Sequence, residues 1–129
     1  NRVYFEWTKA GNGYGISMDA RSEKYRPEVQ VATMSVVKRN LPVYTYSQNG
    51  SIDRWTVASS ALGKKGARWL PVRQPDLYAG QVFRTFARSH GIALPPEKSI
   101  RALPEGKTIV SHNSATLTQI LRGMLKYST

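Results

Sequence analysis

The chain has 129 residues, 40% of them hydrophobic, and no cysteine; that is enough for one domain with its own core, and it excludes a disulfide framework and a thiolate metal site. Nineteen basic residues against eight acidic ones leave a formal charge of +11, which favours an anionic partner such as nucleic acid, anionic lipid or an acidic cell wall without choosing among them. No stretch approaches membrane-spanning length, and a chain opening at Asn1 with no basic-then-apolar leader reads as a mature or excised one.

Val3 to Trp7 has a strand composition, and Gly11-Asn12-Gly13-Tyr14-Gly15 breaks it as a turn. Glu28 to Val37, rich in Val and Thr, predicts another strand. Pro42 to Tyr46 alternates Val43 and Thr45 with Tyr44 and Tyr46, the pattern of a half-buried strand. Asn49-Gly50 is a favoured hairpin turn, since both positions tolerate positive φ. It hands on to a return strand, Ile52 to Ala58, with Trp55 and Val57 on one face and Asp53 and Thr56 near the other. Gly63 to Gly66 reads as an exposed loop, and Trp69 to Val72 as a short extended piece. Pro75-Asp76 then starts a helix, because Pro suits the first turn and Asp the positive helix end. Ala79, Val82, Phe83, Phe86 and Ala87 form its apolar stripe, and Gly91 its left-handed cap. Leu94-Pro95-Pro96 is a stiff connector, and Lys107 to Ser111 a strand candidate. Ser114 caps a second helix with the stripe Leu117, Ile120, Leu121, Met124 and Leu125. Arg122 and Lys126 sit towards the end that favours cations, and the helical pattern is still running at Thr129. Strands come first and helices later, so the class is α+β.

Several short patterns bear on chemistry. Ser35-Val36-Val37-Lys38 has the S-x-x-K spacing of serine acyl enzymes, which need Ser and Lys on one helical turn so that the amine takes the hydroxyl proton. This pair lies in a β-branched stretch, and on a strand positions three apart point to opposite faces. Gly106-Lys107-Thr108 has Arg101 where a phosphate-binding loop needs glycine, and Ile109 where a Lys-Thr-Gly motif needs one. Gly11 to Gly15 leads into no helix, which removes a dinucleotide reading. His90 and His112 have neither ligand spacing nor a carboxylate partner, and the acidic residues form no glycosidase pair. Arg68-Trp69 and Lys38-Arg39 are candidate phosphate contacts, but no helix carries a basic stripe and no RNA-recognition or zinc-finger motif is present. Trp69 and Tyr78 read as core or interface residues.

The run Arg68-Trp69-Leu70-Pro71-Val72-Arg73-Gln74-Pro75-Asp76-Leu77-Tyr78-Ala79-Gly80-Gln81-Val82-Phe83-Arg84, continuing to His90-Gly91-Ile92, resembles the accessory region of class C penicillin-binding proteins. These are the S13 serine peptidase family of D-alanyl-D-alanine carboxypeptidases. The segment Ser111-His112-Asn113-Ser114-Ala115, followed by Leu117, Ile120-Leu121 and Met124 to Thr129, resembles the family's return linker to its catalytic domain. The likeness is fullest from Arg68 to Thr129 and looser from Tyr14 to Ala61.

The resemblance implies an accessory domain over residues 1–110 and a return segment over 111–129, inserted between the family's S-x-x-K and S-x-N and lying before its Lys-Thr-Gly. Ser128-Thr129 matches the first two residues of S-x-N, so Ser128 is the one candidate catalytic residue, a proton relay in a complete enzyme. The chain alone is then inactive. The parent is expected to be a periplasmic serine hydrolase acting on peptidoglycan and acylated by β-lactams, with no metal or cofactor implied. The competing readings are a stand-alone basic module for nucleic acid or an anionic wall polymer, and a local acyl-transfer pair at Ser35 and Lys38.

Overall fold

The computed structural model describes residues 2–127, which divide between Ser99 and Ile100 into two compact units. The first unit holds six strands and one long helix, the second holds one helix, and the class is α+β. Among the described residues, no helix is long and apolar enough to cross a membrane.

Strand β1, Arg2–Ala10, turns at Gly11 (φ 59°) into β2, Gly13–Asp19, and pairs on its other side with β6, Lys65–Pro71. All of these pairings are antiparallel. Alternation sends Val3, Phe5 and Trp7 to one face of this sheet, and Val3 and Phe5 are fully buried. Gly66 is opposite Trp7, and a Cβ there would run into the indole ring, which donates from Nε1 to the Leu62 carbonyl at 2.7 Å. The starts of β2, Gly13 to Gly15, and of β6, Lys65 and Gly66, are stretches that sequence reading gave to a turn and a loop. Pairing with β1 from both sides makes them strands.

The second sheet has the order β3-β5-β4. Strand β3, Ala32–Val37, runs parallel to β5, Ile52–Ala58, and β4, Tyr44–Asn49, runs antiparallel to β5. The expected hairpin is present, but its two-residue loop is Gly50-Ser51, one position later than Asn49-Gly50, with Gly50 at φ 59°. The strand expected from Glu28 begins only at Ala32. Glu28 forms a single bridge with Asp19, and the amides of Gln30 and Val31 donate to a helix side chain instead of a strand.

Both sheets and helix α1, Pro75–Ser89, share one core: Val3, Phe5 and Leu70 from the first sheet, Met34, Trp55 and Val57 from the second, with Leu77, Tyr78 and Val82 of α1 against it. The buried stripe of α1 is rotated from the expected one. Gln81 is buried, while Ala79 and Phe83 are exposed. Asp53 also departs from expectation: with Trp55 and Val57 it lies on the buried face of β5, as period-two alternation requires. Helix α1 ends as expected at Gly91 (φ 78°), where Ile92 N–H donates to Ala87 O at 2.9 Å and Gly91 N–H to Arg88 O at 3.0 Å, a Schellman pair.

In the second unit, residues 107–111 form no strand, and α2 spans Leu117–Tyr127. Its cap is Thr116 rather than Ser114. The Gln119 amide donates to Thr116 Oγ1 at 3.3 Å, and Thr116 N–H donates to Gln119 Oε1 at 3.0 Å, a reciprocal capping box. An 11-residue helix is marginal without packing, and none of its residues is buried. Thr116→Ala is therefore expected to cost α2 about 1 kcal/mol, seen as faster amide exchange over its first turn; unchanged exchange would show that the cap does not hold the helix.

Candidate functional site

The sequence candidates do not assemble into a catalytic centre. Ser35 lies on β3 and Lys38 just beyond its end, both exposed, so they do not share a helical turn and the local acyl-transfer reading is set aside. Gly106 to Ile109 is exposed irregular chain. Ser128 lies outside the described residues. His90 caps α1 in the first unit and His112 belongs to the second. Among the described residues, no three His, Asp or Glu side chains group as metal ligands.

Two of the basic residues singled out for phosphates, Arg39 and Arg68, make contacts within the chain, while Lys38 is exposed. Arg39 donates to Pro42 O at 2.7 Å and to Thr56 Oγ1 at 3.0 Å. Arg68 lies 4.8 Å from the Tyr44 ring centre, and Trp69 stacks edge-on against Tyr4 beneath Arg2. Arg21 joins this outer layer over Tyr4, paired with Asp19 at 3.0 Å and Glu6 at 3.1 Å. Those contacts raise the Arg21 pKa, through the Asp19 hydrogen bond first. Part of the basic excess is thus taken up as structure.

A different set of arginines faces an open cleft. The C-terminal half of α1 lies beside the segment 25–30, and the two are joined by Gln81. Its Oε1 accepts from Gln30 N–H at 2.6 Å and from Val31 N–H at 3.1 Å. Four-residue spacing puts Arg84 and Arg88 on one side of the helix. With Arg26, Glu28, Gln30 and Thr85 they line a cleft of about 370 Å3. It shares Arg26, Pro27 and Thr85 with an apolar bay of about 730 Å3 that is lined by Tyr25, Phe86, Ser89 and His90. Tyr25 and Phe86 meet edge to face, with ring centres 5.4 Å apart.

The returning chain holds one of these arginines. Arg84 Nε lies 3.1 Å from Glu97 Oε2, close enough for an ion pair though not aligned as a hydrogen bond. Glu97 reaches it by crossing Gly80, where a Cβ would collide with the Glu97 side chain. Two residues on, the Ser99 hydroxyl donates to Asp76; that bond, followed by the Leu77 amide, holds the Asp76 carboxyl below its ordinary range. This tie is in place above the ordinary carboxylate range and is lost as pH falls through the lowered value. Arg26 and Arg88 have no ion-pair partner among the described residues. The three guanidinium groups, set against Glu28 and Glu97, leave the cleft with a single net positive charge.

Sequence reading passed over Arg84 and Arg88 when it found no basic stripe, although their four-residue spacing on the predicted helix was the available signal. Arg26 had none, because a contact across more than fifty residues leaves no local signal. No family model, curated protein or solved structure matches the chain.

Proposed function

We propose that this chain is a non-catalytic accessory region of a penicillin-binding D-alanyl-D-alanine carboxypeptidase. The observation that carries the reading is the run from Arg68 to Arg84 with its Gly91-Ile92 connector, which resembles the S13 accessory helix in residue type and order. Two features of the first unit are in keeping with it. The Pro75 to Phe83 segment is the start of a long helix, and Gly80 within it is a position where a side chain would collide with Glu97.

On this reading the complete enzyme is periplasmic. It acylates a serine held elsewhere, stabilises the oxyanion with backbone N–H groups and deacylates to water. β-Lactams acylate the same serine. Ser128 takes the place of the first residue of S-x-N and relays protons there.

The test is labelling with a fluorescent penicillin, comparing this chain with a version extended on both sides to restore the three motifs. Labelling of the extended protein alone is expected. Labelling of this chain at Ser35, or of neither protein, would overturn the reading. A stand-alone basic module is the second reading, favoured by the charge of +11; its nucleic-acid form predicts an affinity that falls steeply with salt.

A further inference from the structure

We infer that the cleft between α1 and the segment 25–30 binds a peptide ending in a free carboxylate, with an apolar side chain beside that end. The inference goes beyond the accessory-region reading and does not depend on it.

The charge defines the head group. Arg26 and Arg88 stand at the cleft without ion-pair partners among the described residues, and a guanidinium fork matches a carboxylate in geometry. Arg84 is already committed to Glu97, and Glu28 is part of the wall. One net positive charge suits a monoanion. A long polyanion would meet the Glu28 carboxylate on its path, and binding it calls for a continuous basic track.

The neighbouring space defines the body. Beside the arginine cleft the lining turns apolar at Tyr25, Pro27 and Phe86, so the part of the ligand next to its anionic end is apolar. Phe86 and Tyr25 meet edge to face, which gives an apolar side chain a corner to fill. Hydroxyl groups serve an amide backbone. Thr85 donates to Gln81 O at 2.9 Å and Ser89 to Phe86 O at 2.6 Å, and each oxygen still has lone pairs for a peptide N–H. A fatty acid has no use for those acceptors, and inorganic phosphate leaves the bay empty.

The site is also held in shape before any ligand arrives. Gln81 fixes the segment from one side, and the Glu97 crossing fixes Arg84 from the other. Preorganisation of this kind reduces the ordering cost of binding.

The experiment is titration of the full chain with acetyl-alanyl-leucine, followed by NMR shifts and calorimetry. Its C-terminal amide, acetyl-alanyl-glycine, inorganic phosphate and a short DNA duplex are the comparisons. Acetyl-alanyl-leucine is expected to bind and to shift signals of Arg26, Arg88 and Phe86. The amide and the double variant R26Q/R88Q should each bind at least about tenfold more weakly, the loss of one or two charge-assisted contacts. The glycine peptide should bind several-fold more weakly through the empty bay. Both arginines are exposed, so the variant should keep the thermal midpoint of the parent chain. Equal affinity for acid and amide, equal affinity of the double variant, or no binding of acetyl-alanyl-leucine would overturn the proposal. Phosphate binding as tightly as the peptide would reduce the site to an anion cleft, and displacement of the peptide by duplex at matched salt would make it a polyanion surface; either outcome also overturns it.

Discussion

Replacing Asp53 with alanine is expected to destabilise the first unit by about 2–4 kcal/mol, because two part-buried donors lose a fully buried carboxylate acceptor and its charge-assisted hydrogen bonds. Asp53 is 1% exposed in the middle of the second sheet's inner face. Its two carboxylate oxygens accept from different places: the Tyr46 hydroxyl at 2.8 Å on the neighbouring strand, and the Arg73 N–H at 3.0 Å on the chain leaving β6. The carboxylate therefore ties β5 to β4 and to the entry of α1. Asparagine keeps one acceptor of similar shape and should recover part of the loss; a urea midpoint left unchanged by Asp53→Ala would sink the argument. Tyr46 supplies a second readout. The hydrogen bond to Asp53, and then burial, raise the Tyr46 pKa above its ordinary value. A raised folded-state value means that this contribution is complete below the ordinary phenol range and is lost as pH rises through the raised value. Alkaline titration of the Asp53→Ala variant should show Tyr46 ionising earlier than in the parent chain.

Asp53 also shows where sequence reading stops. The same strand pattern that puts Trp55 and Val57 on one face puts Asp53 with them, yet a lone carboxylate in a sequence reads as solvent-facing. Its partners are the Arg73 amide, 20 positions away, and the Tyr46 hydroxyl, which reaches it diagonally across the strands only once the hairpin is placed. Local signals served well where a local cause acts alone. The Pro75 start and Gly91 end of α1 are of that kind, since proline's ring fixes φ and glycine accepts a positive φ without penalty. The glycines of β2 and β6 misled because a strand flanked on one side by β1 needs no strong propensity of its own. In the cleft, Arg84 and Arg88 were passed over, because two arginines four apart do not make a basic stripe. Their partner Arg26 and the Gln81 bond that brings it near depend on how the segment 25–30 folds back.

Gln81→Leu is expected to loosen that fold-back by about 1–3 kcal/mol, the cost of leaving a buried donor unpaired. Leucine fills much the same space in the core stripe beside Leu77, Tyr78 and Val82, so a cavity contributes little. What disappears is the acceptor shared by Gln30 and Val31, and Val31 is buried and has no water to turn to. Amide exchange at these two positions should quicken well before global unfolding does. The loosened segment carries Tyr25 and Arg26, so affinity for the carboxylate peptide should fall with it, while Phe86 and Arg88 remain on an intact helix. Gln81→Glu separates the two effects. A glutamate oxygen still accepts both N–H groups and should restore the slow exchange, but its charge lies beside the arginine cleft and competes with the ligand for it. Slow exchange with weak peptide binding in Gln81→Glu is the expected pair of results. Fast exchange there would mean that the Gln81 carbonyl oxygen is not what holds the segment, and undiminished binding in Gln81→Leu would mean that the peptide does not use Arg26.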